Sequence, residues 1–287
     1  MELQDRLEEL TRSGIGVAAI SYDSQEILAD FAEERGITFP LLSDADSAVI
    51  KAYGILNTVA IAAAGPRKDD PDLIADVQKF VAVSGMFPEV VGTPYPGTFM
   101  LDVNGRVESR FFEDFYRERN TTANVMLKLG IGLSPVNAIE GSSNHLDFTV
   151  YPSNHIVSAG FRFSIAVKVE PKPGMHVYAP GAEKMRYRVI GLKLDPNPSF
   201  RYEPVTYPES EIYYFEPLDE HVPVYKQPFT LLQDVLVEAS SEAQAELAEL
   251  DALTLTGTFN YQACDDEICY NPESVPLSFT LDLADRD

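Results

Sequence analysis

Tryptophan is absent, histidine occurs four times, and the only two cysteines of the 287-residue chain are Cys264 and Cys269. Residues 1–263 therefore offer no thiolate, which excludes a cysteine nucleophile or thiolate metal ligand from that whole stretch. Basic residues are also scarce. Twenty-two Lys and Arg stand against 45 Asp and Glu, and the resulting charge of −23 disfavours nucleic-acid phosphates and anionic membrane surfaces as partners. No run approaches the roughly 18 apolar residues needed to span a bilayer, so no membrane insertion is expected. Zinc wants four ligands, or three and a water, and His145, His155, His176 and His221 are scattered along the chain. Neither a metal nor a cofactor is expected.

The opening segment MELQDRLEELTRSG is acidic and amphipathic, without the basic and apolar regions of a secretory signal. A product that natively starts at Met1 is expected to stay in the cytosol. Were an upstream signal missing, the address would be periplasmic or otherwise extracytoplasmic.

What is present is enough for two ordinary domains, with a hydrophobic fraction of 45% and a charged fraction of 23%. Residues 1–130 alternate helix and strand signals, which predicts an α/β layered domain with a largely parallel centre. Leu3, Leu7 and Leu10 recur at helical spacing before Gly14. Val17–Ile20 is a continuous apolar run, read as a strand buried on both faces. Ser24 precedes a helical pattern through Ile27, Leu28, Phe31 and Ala32 that closes at Gly36. Ser43 or Asp44 can cap a short helix through Val49, Ile50 and Tyr53. Thr58–Gly92 reads as an insertion covering the sheet. Asn104-Gly105 signals a two-residue hairpin turn before Arg106–Phe112. A last helix is expected from Thr121 or Thr122 to Leu129, ending at Gly130.

Residues 131–145 are rich in Gly, Ser, Pro and Asn and read as a linker. Over 146–287 the pattern becomes all-β. Alternating runs at Leu146–Tyr151, Phe161–Val169, His176–Tyr178, Tyr187–Leu194, Phe229–Val237, Leu253–Tyr261 and Val275–Leu283, with one short helix at Glu242–Leu250, predict an antiparallel sandwich.

The run ELQDRLEELTRSGIGVAAISYDSQEILADFAEERGITFPLLSDADSAVIKAYGI, followed by Pro94–Asp102 and Asn104-Gly105-Arg106, resembles the redoxins. These include peroxiredoxins of the alkyl hydroperoxide reductase / thiol-specific antioxidant family and their thioredoxin-fold relatives. The resemblance implies a thioredoxin-like domain in which Pro96 is a cis-proline facing the active site, preceded by Tyr95 and followed by the Thr98 strand. The family's catalytic cysteine belongs at the start of a helix that this chain begins inside, and its first strands are missing. The implied domain is an incomplete redoxin with an uncovered sheet edge and no peroxidase activity of its own. A gene fragment or misplaced start codon is preferred as the explanation over a specialised cysteine-free redoxin.

The cysteine pair lies in TFNYQACDDEICYNPESVPLSF, a C-x4-C spacing between two strand-like runs. A disulfide closing so short a loop is worth only about 2 kcal/mol of chain entropy, which makes it a weak static staple. Tyr261-Gln262-Ala263-Cys264, Cys269-Tyr270 and Pro272 resemble the YQxC…C…P signature of the N-terminal, immunoglobulin-like domain of the thiol:disulfide interchange protein DsbD, and Met175–Tyr178 resembles its H-[IV]-Y segment. That resemblance implies that Cys264 and Cys269 are the active pair. It further implies that Tyr261, Gln262, Tyr270, His176 and Tyr178 support the pair, and that Asp219, Glu220 and His221 are counterparts of a shielding cap loop. The expected function is thiol–disulfide exchange with a thioredoxin-like or other redox protein. The alternative is a non-catalytic protein-binding sandwich with a structural disulfide. Asp265, Asp266 and Glu267 between the cysteines are expected to disfavour the thiolates, so that exchange waits for a docked partner.

Overall fold

The computed structural model describes residues 2–57, 94–112 and 118–284, together with Asp69, Pro71 and Ile74. The insertion expected over Thr58–Gly92 lies outside the described residues apart from those three positions. The chain forms two compact units, residues 1–122 and 123–287.

In the first unit, helices α1 (Glu2–Asp5) and α2 (Leu7–Arg12) precede Gly14, whose φ of 79° is the left-handed conformation open to glycine. Strand β1 (Ala19–Ser21) pairs in parallel with β2 (Leu41–Ser43). Helix α3 (Gln25–Arg35) connects them. The Ser24 hydroxyl accepts from the Ile27 amide at 3.3 Å to open it, and Gly36 closes it at φ 63°. Asp44 caps α4 (Ala48–Ala52), its carboxylate accepting from the Val49 and Ile50 amides at 3.1 and 2.8 Å. A separate hairpin joins β3 (Gly97–Leu101) to β4 (Val107–Phe112), and the short β5 (Arg119–Asn120) follows.

Two expectations for this unit need correction. The strand at Val17–Ile20 is not buried on both faces: it spans Ala19–Ser21, and Ile20 and its partner Leu42 remain 44% and 47% exposed. Among the described residues β1 and β2 form a two-stranded sheet, so one face finds nothing to cover it. Nor is Asn104-Gly105 a two-residue turn. Of the two, Gly105 alone has positive φ, whereas the tight primed turns need it at Asn104, the first central position. The Asp102 carboxylate instead accepts from the Asn104 and Arg106 amides, both at 2.8 Å, and stabilises a wider turn over 102–106.

The second unit is a β-sandwich. One sheet runs in the order β12 (Phe200–Tyr202), β15 (Phe229–Val237), β9 (Phe161–Pro171), β7 (Leu146–Pro152), β6 (Ile139–Ser142). The other runs β11 (Gly191–Leu194), β16 (Ala252–Tyr261), β18 (Glu273–Leu283), β8 (Ile156–Val157). Neighbours are antiparallel except β18 and β8. Period-two alternation drives the packing. Along β16, Leu253, Leu255, Phe259 and Tyr261 point into the core while Thr254 and Thr256 face out. On β9 both faces are buried. Ser164 on its second face donates to Asn124 of the helix Thr122–Lys128, at 2.6 Å.

The stretch 131–145, read as a linker, contains β6, paired with β7 from Ile139↔Val150 to Ser142↔Asp147. Gly141 sits directly opposite Phe148, whose ring would lie 2.2 Å from any Cβ placed there. A glycine under an aromatic ring stabilises the pair but carries no strand signal in sequence.

A third sheet, in the order β13 (Glu211–Phe215), β14 (Glu220–Tyr225), β10 (His176–Tyr178), β17 (Ala263–Cys264), carries the cysteines.

Candidate functional site

Strand β17 pairs antiparallel with β10, matching Cys264 to His176 and Ala263 to Val177. Alternation then separates two faces. Val177 and Ala263 join the main core, whereas Tyr178 and Cys264 join a smaller apolar cluster with Ala182, Val222 and Val224. His176, two residues before Tyr178, lies on the cysteine face.

Cys264 and Cys269 form a disulfide with Cα atoms 4.0 Å apart. The chain reverses between them in a tight hairpin. Asp265 N–H donates to the Ile268 carbonyl at 3.0 Å, and Tyr270 N–H donates to the Ala263 carbonyl at 2.9 Å. The Asp265 side chain fixes this turn by accepting from the amides of Glu267 and Ile268 at 2.8 and 2.7 Å and from the Tyr270 hydroxyl at 2.8 Å. Those donors, the Ile268 amide foremost, hold its carboxyl below the usual 3.8. The two cysteines differ sharply in access. Cys264 is 1% exposed, while Cys269 is exposed beside Ile268 at the turn.

Aromatic side chains wall the pair. The Tyr178 hydroxyl lies 3.4 Å from the Cys269 Sγ, and its ring stacks on Tyr187 at 4.3 Å. Tyr187 in turn donates to Glu220 at 2.6 Å. Burial, and then the Glu220 charge, push the Tyr178 hydroxyl up to about 12, so it stays protonated and can donate to a sulfur. Tyr213 on β13 reaches over the turn, donating to Asp266 at 2.8 Å, with its ring under the Lys226 ammonium at 4.1 Å. Burial and the Asp266 contact raise Tyr213 to about 12. His145 stacks on the Tyr270 ring at 3.8 Å.

His176 is 2% exposed and packs against the rings of Tyr178 and Tyr213, at 5.4 and 5.0 Å. Its Nε2 is buried and has no hydrogen-bond partner among the described residues. Such an orphan costs about 1–3 kcal/mol. Burial, reinforced by Lys226 and opposed by Asp266 and Asp265, lowers its pKa below 6.5 and keeps the ring neutral at pH 7.

The structure thus gathers Cys264, Cys269, His176, Tyr178 and Tyr270 at one place. Gln262 supports the hairpin by donating to the Tyr270 carbonyl at 2.9 Å, and Tyr261 faces the core with its hydroxyl on Glu273. Asp219, Glu220 and His221 are the three positions that the resemblance implied for a shielding cap loop. They sit at the connection of the β13–β14 hairpin, with Asp219 at φ 52° and Glu220 and His221 already in β14. The hydrogen bonds of Asp219 and Glu220 go to Tyr214 and Tyr187 rather than to a cysteine, and His221 packs on Tyr214. Tyr95, Pro96 and Thr98 lie in the first unit, where the Tyr95 amide donates to the Ile55 carbonyl at 2.6 Å and Thr98 pairs with Phe111. Tyr213, Tyr187, Lys226 and His145 escaped the sequence reading. The β-prone residues of Ile212–Phe215 are the one signal that could have pointed to a strand at Tyr213.

Residues 1–110 match the family model AhpC/TSA family, and residues 151–280 match that of the thiol:disulfide interchange protein DsbD, N-terminal. Curated relatives include a putative peroxiredoxin of Mycobacterium tuberculosis, 45% identical over 53 residues, and peroxiredoxin Bcp of Escherichia coli, 42% identical over 53 residues. Each alignment covers 18% of this chain and 34% of the relative, so the chain spans about a third of the length of the curated relatives it matches. Among solved structures, the DsbD N-terminal domain of Neisseria meningitidis in the reduced form aligns at 14% identity and TM-score 0.30, over 42% of this chain and 78% of that one. The N-terminal periplasmic domain of ScsB from Proteus mirabilis aligns at 12% identity and TM-score 0.34, over 51% and 50%. The chain joins a segment similar to the AhpC/TSA peroxiredoxins to a β-sandwich similar to the N-terminal domain of DsbD.

Proposed function

We propose that this protein exchanges electrons with a thioredoxin-like or other redox protein through the Cys264–Cys269 pair. In this reading residues 1–130 are a redoxin-type, thioredoxin-like domain without its own nucleophile, and 146–287 are an immunoglobulin-like sandwich that carries the chemistry. The observation that supports it is the asymmetry of the disulfide, one cysteine exposed at a turn and the other buried under tyrosines. A partner thiolate reaches Cys269, and its attack there expels Cys264 as the leaving thiolate. In the opposite direction, when Cys269 is itself the attacking thiolate, the Tyr178 hydroxyl 3.4 Å from its sulfur can donate to that charge. The negative charge of Asp265, Asp266 and Glu267 between the cysteines disfavours the thiolates, so in this reading exchange waits for a docked partner.

Equilibrating the protein in glutathione buffers and trapping the cysteines by alkylation tests this. A potential near that of the glutathione pool is expected. A value far below about −300 mV would leave only the rival, a binding module pinned by a structural bridge.

A further inference from the structure

We propose that His176 is the proton acceptor for Cys264 during thiol–disulfide exchange, a role that rests on the exchange reading above. The two residues are cross-strand partners on the same face of the sheet, which places their Cβ atoms about 4.5–5.5 Å apart. Cys264 is buried, so solvent has poor access to its thiol proton. A buried thiol is a poor nucleophile unless a nearby group takes that proton. His176 Nε2 is a buried nitrogen without a hydrogen-bond partner among the described residues, and in the tautomer protonated on Nδ1 its lone pair meets this need.

The groups facing the imidazole favour its neutral, accepting form. Tyr178 on the same strand and Tyr213 on β13 shield it with their rings. Lys226 repels a positive ring, while Asp265 and Asp266 from the turn partly restore it. Burial is the dominant influence, and it lowers the ring's pKa, so the base is available at neutral pH.

When the reduced protein reduces a partner disulfide, Cys269 first loses its proton to solvent, and its thiolate attacks to form a mixed disulfide, releasing one partner sulfur as a thiolate. Cys264 S–H then passes its proton to His176, and the Cys264 thiolate attacks the Cys269 sulfur. The Cys264–Cys269 bond forms, the Cys269–partner bond breaks, and the second partner sulfur leaves as a thiolate carrying the electron pair. The imidazolium releases its proton to solvent. Two electrons pass from the dithiol to the partner. In reverse, the imidazolium protonates Cys264 as it is expelled.

The test uses the full chain, reduced, with glutathione disulfide as oxidant, and acid-quenched mass spectrometry to follow the glutathionylated intermediate. In the unsubstituted protein, resolution of that intermediate is expected to be flat through neutral pH and to fall only in acid, as His176 protonates. A rate that instead climbs about tenfold per pH unit up to the thiol's own pKa overturns the proposal without any substitution. His176→Gln is expected to slow resolution about a hundredfold and to impose that climbing profile, while glutathionylation of Cys269 keeps its rate. Equal resolution rates and profiles in a folded His176→Gln protein also overturn it. Failure of the unsubstituted protein to exchange at all would sink the exchange reading itself, an outcome distinct from rapid exchange that ignores His176.

Discussion

The runs Val17–Ile20 and Phe163–Val167 look alike as short apolar stretches, yet the two units treat them in opposite ways. On β9, Phe163, Ile165 and Val167 face the sandwich core, and Ser164 and Ala166 on the opposite face are equally buried. On β1, Ile20 stays largely open. Burial is decided by whether a second surface exists to receive a face, and apolarity of the run only makes such a surface favourable. The same contrast separates the rest of each unit. Ile27 and Phe31 of α3 are exposed, whereas the sandwich encloses Leu255, Phe259 and Phe279.

The contrast can be broken by substitution. Leu255→Ala should destabilise the sandwich by about 2–5 kcal/mol, because the cavity lies between two packed sheets. Ile20→Ala should change the first unit by no more than about 0.5 kcal/mol. Hydrogen exchange read peptide by peptide, alongside urea titration, compares them, and equal costs would mean that β1 is covered after all. Next in size is the disulfide. Replacing both cysteines by serine should cost about 2 kcal/mol, less than the core cavity, since the closed loop is short. A shift in thermal melting as large as that of Leu255→Ala would show that the bridge organises the whole third sheet.

The smallest effect concerns the turn between the cysteines. Asp265 has a folded pKa depressed below its unfolded value of 3.8, so its contribution is complete above that value and is lost as pH falls through the folded one. Acidification below about pH 4 should therefore loosen the Glu267 and Ile268 amides, seen as faster amide exchange than at pH 5. Asp265→Asn should show weaker protection at pH 5 and little further acid dependence. An unchanged acid response in that variant would assign the effect to another group.

Much of the framework was legible because it is local. Ser24 and Gly36 bracket α3, and Asp44 caps α4, since capping depends on residues a few positions apart. The range His176–Tyr178 and most of the longer sandwich strands follow from period-two alternation. The misses are where pairing partners are distant or the signal is weak. Strand β6 hides behind Gly141, and the β13–β14 hairpin lies where only Asp219, Glu220 and His221 were singled out, as cap-loop counterparts. At the site, the cysteine pair and His176 were legible from their motifs. Tyr213, Tyr187, Lys226 and His145 were not, because they approach from other elements.

Sequence alone determined that two sulfurs carry any thiol chemistry, that they stand on a short loop, and that the chain changes from mixed to all-β character near its middle. Only the tertiary structure decided that Cys264 is buried and Cys269 exposed, and that a buried histidine whose Nε2 has no hydrogen-bond partner among the described residues is the cross-strand neighbour of the buried one. Sulfur access and histidine protonation depend on which surfaces shed water together, and strands from distant parts of the chain settle that when they pair.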